Sequence, residues 1–155
     1  MKPKYVSVLK TGILVGSFDI LAAFILVLIR TGKLQVFNIL KFIASGIFGK
    51  DASEGGLKMV TIGLVIHYTI AFLFTGLFFW LYPKMNLGAK NKWITGIIYG
   101  ILVWFVMNRL VLPLSNVVHR PFSLSNALIN IGILIICIGI PLSLLARRFY
   151  RLSPH

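Results

Sequence analysis

Four long apolar runs divide the chain, and its polar residues cluster between them. Each run reaches the ~20 residues that an α-helix needs to cross a hydrocarbon core of ~30 Å. The second run carries no charged side chain from Met59 to Pro83, and the fourth carries none from Pro121 to Ala146. The pattern predicts an all-α integral membrane protein, one domain over residues 1–155, with four transmembrane helices. We place these helices at residues 11–30, 58–82, 93–112 and 123–146.

A shorter apolar stretch at 34–49 shows a different pattern. It is too short to span a bilayer, and its polar residues recur at helical spacing, which places them on one face. That face consists of Gln35, Asn38, Lys41 and Ser45. We expect an interfacial amphipathic helix that lies along the membrane surface. A re-entrant segment that breaks near Gly46 is the alternative.

Prolines and loop residues predict where helices begin, end or bend. Pro83 is expected to end the second helix, Pro113 the third, and Pro141 should kink the fourth near its end. Residues 49–56 have the composition of a loop. Aromatic residues that would form interfacial belts stand at three helix ends: Trp80, Tyr82 and Trp93.

Composition supports a membrane protein and narrows its partners. Charged residues make up 12% of the chain, whereas a soluble domain carries about 25%. The net charge is +13, and the cations flank the apolar runs. We therefore expect anionic lipid headgroups rather than nucleic acid as the counter-charge. Other membrane subunits, or a second copy of this chain, are further expected partners. The single cysteine, Cys137, excludes an internal disulfide.

The distribution of cations also predicts an orientation. With both termini in the cytoplasm, nine Lys and Arg residues face inward and seven face outward, and the inner set contains no acid. Both tails and the tight inner loop are strongly basic, which favours cytoplasmic termini. The first apolar run follows three lysines, but no cleavage pattern appears before Arg30, so we expect it to remain as a helix.

Two ionisable residues stand at membrane depth. Asp19 lies nine residues after Lys10, and His67 lies nine after Lys58, so each is about 13 Å from its end of the helix. A charged acid at a helix centre costs at least ~2.5 kcal/mol on insertion scales and usually has a partner or a function. We expect Asp19 and His67 to meet near the midplane. There they would form either a structural hydrogen bond that locks the first helix to the second, or a proton-accepting or cation-binding site.

Small residues four apart predict which helix faces point inward. Gly12-x-x-x-Gly16 and Gly96-x-x-x-Gly100 would let helices approach closely. The inward faces carry four polar candidates: Asp19, His67, Asn108 and Asn130.

A second polar cluster is predicted nearer the outer face. Its members end the third helix and begin the fourth: Asn108, Arg109, Asn126 and Asn130. Arg109 is the candidate to recognise an anionic group such as a lipid phosphate. The alternative is an interfacial arginine that snorkels to the headgroups. Four further residues would line the same outward-facing pocket: Ser115, His119, Arg120 and Ser125. We expect His119 to be solvated.

Motifs for catalysis, metals and cofactors are missing from the sequence. It contains no phosphate-cradling glycine loop and no His-x-x-x-His or Cys-x-x-Cys spacing. Asp19 is the one acid predicted to be buried, so no Ser/His/Asp set has credible geometry. We predict no catalytic residue, no metal ligand and no cofactor, and we favour a protein that is not an enzyme.

Several stretches together carry a resemblance to a known group. They are GSFDILAA (16–23), ASGIFG (44–49), GLVIHYTIAF (63–72), YGILVWFVMN (99–108), LPLS (112–115) and GIPLSLLAR (139–147). The chain resembles a group of small, uncharacterised four-helix inner-membrane proteins of bacteria. The resemblance implies a bacterial inner membrane and a recurring residue pattern, and it brings no activity. The residues that match that pattern are Asp19, His67, Asn108, Pro113 and Arg147.

Three functional hypotheses follow. In the first, the polar core at Asp19 and His67 binds or passes a small solute, ion or proton. In the second, the chain is an accessory or assembly subunit of a larger membrane complex. In the third, the outward-facing polar pocket binds or modifies a lipid.

Overall fold

The computed structural model describes residues 5–84, 86–87, 91–117 and 123–151, and these residues form helices and connections without strands. The α-helices are α1 (Tyr5–Thr31), α2 (Val36–Phe48), α3 (Asp51–Glu54), α4 (Gly56–Lys84), α5 (Lys92–Val106), α6 (Leu112–Leu114), α7 (Leu124–Leu134) and α8 (Ile140–Arg151).

Four helical stretches are long and apolar enough to cross a membrane. They are Val8–Thr31, Gly56–Lys84, Lys92–Leu114 and Leu124–Tyr150. The predicted all-α fold with four candidate spans is confirmed. Except at Leu124, where the fourth span begins one residue later than predicted, the helices run one to four residues beyond the predicted bounds. Hydropathy marks the apolar stretch, while backbone hydrogen bonds continue into the polar flanks.

The predicted shorter helix is present as α2, which packs against the first half of α4. Leu40 and Ala44 are buried in this contact. A Cβ added to Gly63 would lie 1.9 Å from the carbonyl oxygen of Leu40, so the two backbones touch. Residues 49–56, predicted to be a loop, contain the single turn α3, in which Ala52 is fully buried.

Aromatic side chains fill the core at the end of the bundle where α4 ends and α5 begins. The ring centroids of Phe78 and Tyr99 lie 4.6 Å apart, in an edge-to-face arrangement. Tyr82, expected in an interfacial belt, is instead buried and stacks on Tyr150 at 4.9 Å. The tryptophans at the neighbouring helix ends, Trp80 and Trp93, are exposed, as that belt requires.

Two π-helical segments widen the third and fourth spans, at Met107–Val111 and Ile135–Gly139. In each, the next residue donates its N–H to the carbonyl five residues back, and a proline follows: Pro113 or Pro141. A proline lacks the N–H of a regular turn and its ring crowds the carbonyl four residues back. The wider turn relieves that crowding. The kink expected at Pro141 stays a prediction.

Glycines bring α5 against the fourth span, as the small-residue pattern predicts. A Cβ added to Gly139 would lie 2.0 Å from the carbonyl oxygen of Gly96. A Cβ added to Gly100 would lie 2.6 Å from the Cα of Ile135. The inward face that contains Gly96 and Gly100 is therefore confirmed.

Candidate intramembrane polar site

A hydrogen bond from His67 joins α4 to α1. The Nε2 atom of His67 lies 2.8 Å from the backbone oxygen of Gly16. Because a carbonyl oxygen can only accept, Nε2 carries the proton of this bond. The Nδ1 atom is then the ring nitrogen at which His67 can gain or lose a proton.

Glycine at two positions allows this close contact between α1 and α4. A Cβ at Gly16 would lie 3.0 Å from the Cβ of Ala71, and one at Gly12 would lie 2.4 Å from the ring of Phe72. The predicted inward face at Gly12 and Gly16 is confirmed. It brings the carbonyl oxygen of Gly16 within reach of the imidazole.

Asp19 follows Gly16 by about one helical turn and is half-buried. It lies within electrostatic range of His67 and accepts no hydrogen bond from any residue in the described ranges. The two ionisable residues thus belong to the same interface between α1 and α4, as the sequence predicts. The direct bond of His67, however, goes to the backbone of Gly16 rather than to the carboxylate.

A second bond across the same interface joins Ser17 and Tyr68, whose hydroxyl oxygens lie 2.8 Å apart. The ring of Tyr68 also stands edge-on to His67, with centroids 5.4 Å apart. Sequence reasoning missed both residues, because neither is charged. Ser17 directly follows Gly16, and Tyr68 directly follows His67. These neighbouring positions were the one feature of the sequence that could have indicated a second contact beside the first.

The π-helical segment Ile135–Gly139 contacts α1 and forms a third side of the site. Cys137, from the middle of this segment, lies within electrostatic range of Asp19. π-helical turns are frequent at functional sites, because they displace side chains from the regular helical positions. The sequence did not predict the wider turn that carries Cys137.

The second predicted cluster does not form a hydrogen-bonded group within the described residues. Asn108 donates from Nδ2 to the oxygen of Trp104 in its own helix, at 3.0 Å. The other three members are exposed: Arg109, Asn126 and Asn130. Asn108 and Arg109 lie in the π-helical segment Met107–Val111, which shifts their directions from those of a 3.6-residue repeat. A pocket at this place stays a prediction, and His119 and Arg120 lie outside the described residues.

The sequence analysis also did not predict a buried hydrogen-bond donor on Trp104. The indole N–H of Trp104 is buried and has no hydrogen-bond partner among the residues that the structure describes. Trp104 lies one turn beyond Gly100, on the face of α5 that packs against the fourth span. In the described ranges, no cluster of three His, Cys, Asp or Glu residues has the geometry to hold a metal ion.

Comparison with known proteins gives no indication of function, so any functional inference depends on the polar site around Asp19 and His67. No protein-family model, no curated protein and no solved structure matches the chain. The resemblance to bacterial four-helix inner-membrane proteins therefore stays a prediction.

Proposed function

We propose that this protein is a non-enzymatic membrane protein in which Asp19 and His67 take up and release a proton, and so bind or pass a small ion across the bilayer. One observation carries the proposal. The carboxyl group of Asp19 has no hydrogen-bond partner among the described residues, and it stands beside a histidine whose Nε2 is already committed to Gly16.

The chemistry needs a single proton. When Nδ1 of His67 holds it, the pair consists of an imidazolium and the Asp19 carboxylate. When it moves to the carboxylate, both side chains become neutral and Nδ1 keeps its lone pair. Burial disfavours isolated charges, while mutual attraction favours the charged pair. A proton that enters from one side and leaves to the other would use the same two groups.

The hydroxyl pair beside this site supports the same chemistry. Each hydroxyl of Ser17 and Tyr68 can both donate and accept, as a proton relay requires. The arrangement disfavours acyl transfer, because the hydroxyl of Ser17 bonds to Tyr68 and the Nε2 of His67 bonds to a carbonyl. A nucleophilic serine needs its general base within hydrogen-bond reach.

The proposal includes a place in the cell. We infer a bacterial inner membrane, with both termini on the cytoplasmic side, from the basic tails and from the resemblance described above. Asp19 and His67 then lie about midway across the bilayer, where an ionisable group is most costly to keep without a function.

Proton flux into sealed vesicles tests the proposal. The full chain would be reconstituted into liposomes that contain a pH-sensitive dye, with a potassium diffusion potential as the driving force. Asp19→Asn should reduce the flux to that of protein-free vesicles, because the amide cannot carry the proton. Since Asp19 accepts no hydrogen bond from a described residue, its removal should change the free energy of unfolding by about 1 kcal/mol or less.

The matched control is Asp51→Asn, which makes the same substitution at an exposed residue of α3. It should leave the flux unchanged, whereas His67→Gln should abolish it. Equal flux in wild type and Asp19→Asn would contradict the proposal, and the hypothesis of an accessory subunit would then be the better one.

A further inference from the structure

A basic cavity lies away from the intramembrane site, where α2, α3 and the residues after the third span meet. Its volume is about 320 Å³, at the small end of the range for ligand pockets. Two lysines line it, Lys41 and Lys50, and no acidic residue does. The cavity would therefore attract an anion.

The wall of this cavity is held in place by two hydrogen bonds from Asn116 to backbone oxygens of α2. Asn116 donates its backbone N–H to the oxygen of Gly46 at 2.9 Å, and its Nδ2 donates to the oxygen of Ile47 at 2.8 Å. Gly49 ends α2 with a φ of +58°, a conformation that other residues rarely adopt. These contacts tie the residues after the third span to the end of α2.

Several donors remain available at the cavity. Lys41 gives one N–H to the oxygen of Ser53 at 2.9 Å, which leaves two others. The side chain of Lys50 forms no ion pair or hydrogen bond with a described residue and is exposed. Asn38 donates to Gln35 at 3.2 Å, and Asn116 to Ile47, so each amide keeps a second N–H.

We infer that this cavity binds the phosphate of an anionic phospholipid headgroup. Charge-assisted donors grouped around a small space suit the oxygens of a phosphate. Helix α2, which supplies Lys41 to the cavity, also exposes apolar side chains on which acyl chains can lie: Phe37, Ile47 and Phe48. A freely diffusing phosphate would gain nothing from these apolar groups, which favours the lipid as the source.

Native mass spectrometry of the full chain in detergent micelles tests this inference. Phosphatidylglycerol would be titrated against the wild type and against the double variant Lys41→Gln/Lys50→Gln. Affinity for the lipid should fall roughly thirty-fold in the variant, the ratio that corresponds to about 1 kcal/mol for each charge-assisted hydrogen bond that is lost. Phosphatidylcholine, whose headgroup has no net charge, should bind to the wild type more weakly than phosphatidylglycerol does. Its affinity should also fall less in the double variant.

The matched control removes two exposed lysines at the same end of the bundle that do not line the cavity, as Lys33→Gln/Lys58→Gln. It should change the affinity less than about threefold, because it removes only diffuse attraction. An equal loss in the two double variants would overturn the inference. Displacement of the lipid by millimolar inorganic phosphate would also overturn it, since the ligand would then be the free ion.

A single variant keeps the test decisive if the double variant fails to fold. Lys50→Gln changes an exposed side chain without a hydrogen bond to a described residue, so the fold should be retained. It should weaken phosphatidylglycerol binding about fivefold, which corresponds to the loss of one charge-assisted hydrogen bond of about 1 kcal/mol. Unchanged binding by this folded variant would contradict a role for Lys50 in the cavity.

Discussion

The hydroxyl of Tyr150 donates a hydrogen bond to the backbone oxygen of Phe79, at 3.0 Å. Phe79 lies four residues before Pro83, so a regular helix would satisfy this oxygen with an N–H that proline lacks. Tyr150 in α8 thus supplies the hydrogen-bond donor that α4 lacks at Pro83. This bond, together with the stacking of Tyr82 on Tyr150, holds the end of α8 against α4.

Loss of the Tyr150 hydroxyl should therefore destabilise the protein more when Pro83 is present. Tyr150→Phe alone leaves the carbonyl of Phe79 without its donor, at a cost of about 1–3 kcal/mol in the free energy of unfolding. In a Pro83→Ala background the new N–H can bond to Phe79, so the same change should cost less. Equilibrium unfolding of the four proteins in mixed micelles measures the coupling. Strictly additive costs would mean that Tyr150 does not replace the missing donor.

Contact between the backbones of α2 and α4 predicts a large effect at Gly63. Gly63→Ala places a methyl group on the oxygen of Leu40 and should destabilise the protein by about 1–3 kcal/mol, because backbone atoms must move apart. Gly76→Ala is the matched control, since nothing lies within 4 Å of a Cβ there. It should be neutral or stabilising by up to about 1 kcal/mol. Similar unfolding free energies for the two variants would show that α2 does not pack on Gly63.

The large features of the fold could be predicted because they depend on chemistry that one sequence displays. Apolar length placed the four spans, and paired glycines identified the packed faces of α1 and α5. The partner of His67 could not be predicted, since every residue offers a backbone oxygen and the pattern cannot show which one is nearest. Gly16 became the acceptor because its missing side chain admits α4.

Local departures from the regular α-helix limited the prediction of which way individual side chains point. A reading of faces assumes 3.6 residues per turn, and a π-helical segment breaks that assumption at Asn108 and Arg109. The same limit applies to Cys137 in the fourth span. Tyr82 was misplaced for another reason: its position near a helix end suggested an interface, but the neighbouring Tyr150 covers it.

Orientation in the membrane is predicted from the cations and can be measured directly. In a Cys137→Ser background, an impermeant thiol reagent added to intact cells should label Glu54→Cys, at the end of α3. It should reach Lys84→Cys, at the end of α4, only after the membrane is permeabilised. Both parent residues are exposed, so access depends on the side of the membrane rather than on burial. The reverse labelling pattern would place the termini outside.

Nitrogen NMR of His67 in lipid bilayers tests the central claim most directly. In a His119→Gln/His155→Gln background, the two ring nitrogens of His67 would be followed over a pH titration. Nε2 should stay protonated throughout because it donates to Gly16, and the protonation change should occur at Nδ1. Asp19→Asn should move the pH of that change, since the two groups interact electrostatically. An Nε2 without a proton, or an Nδ1 titration that Asp19→Asn leaves unchanged, would contradict a shared proton between Asp19 and His67.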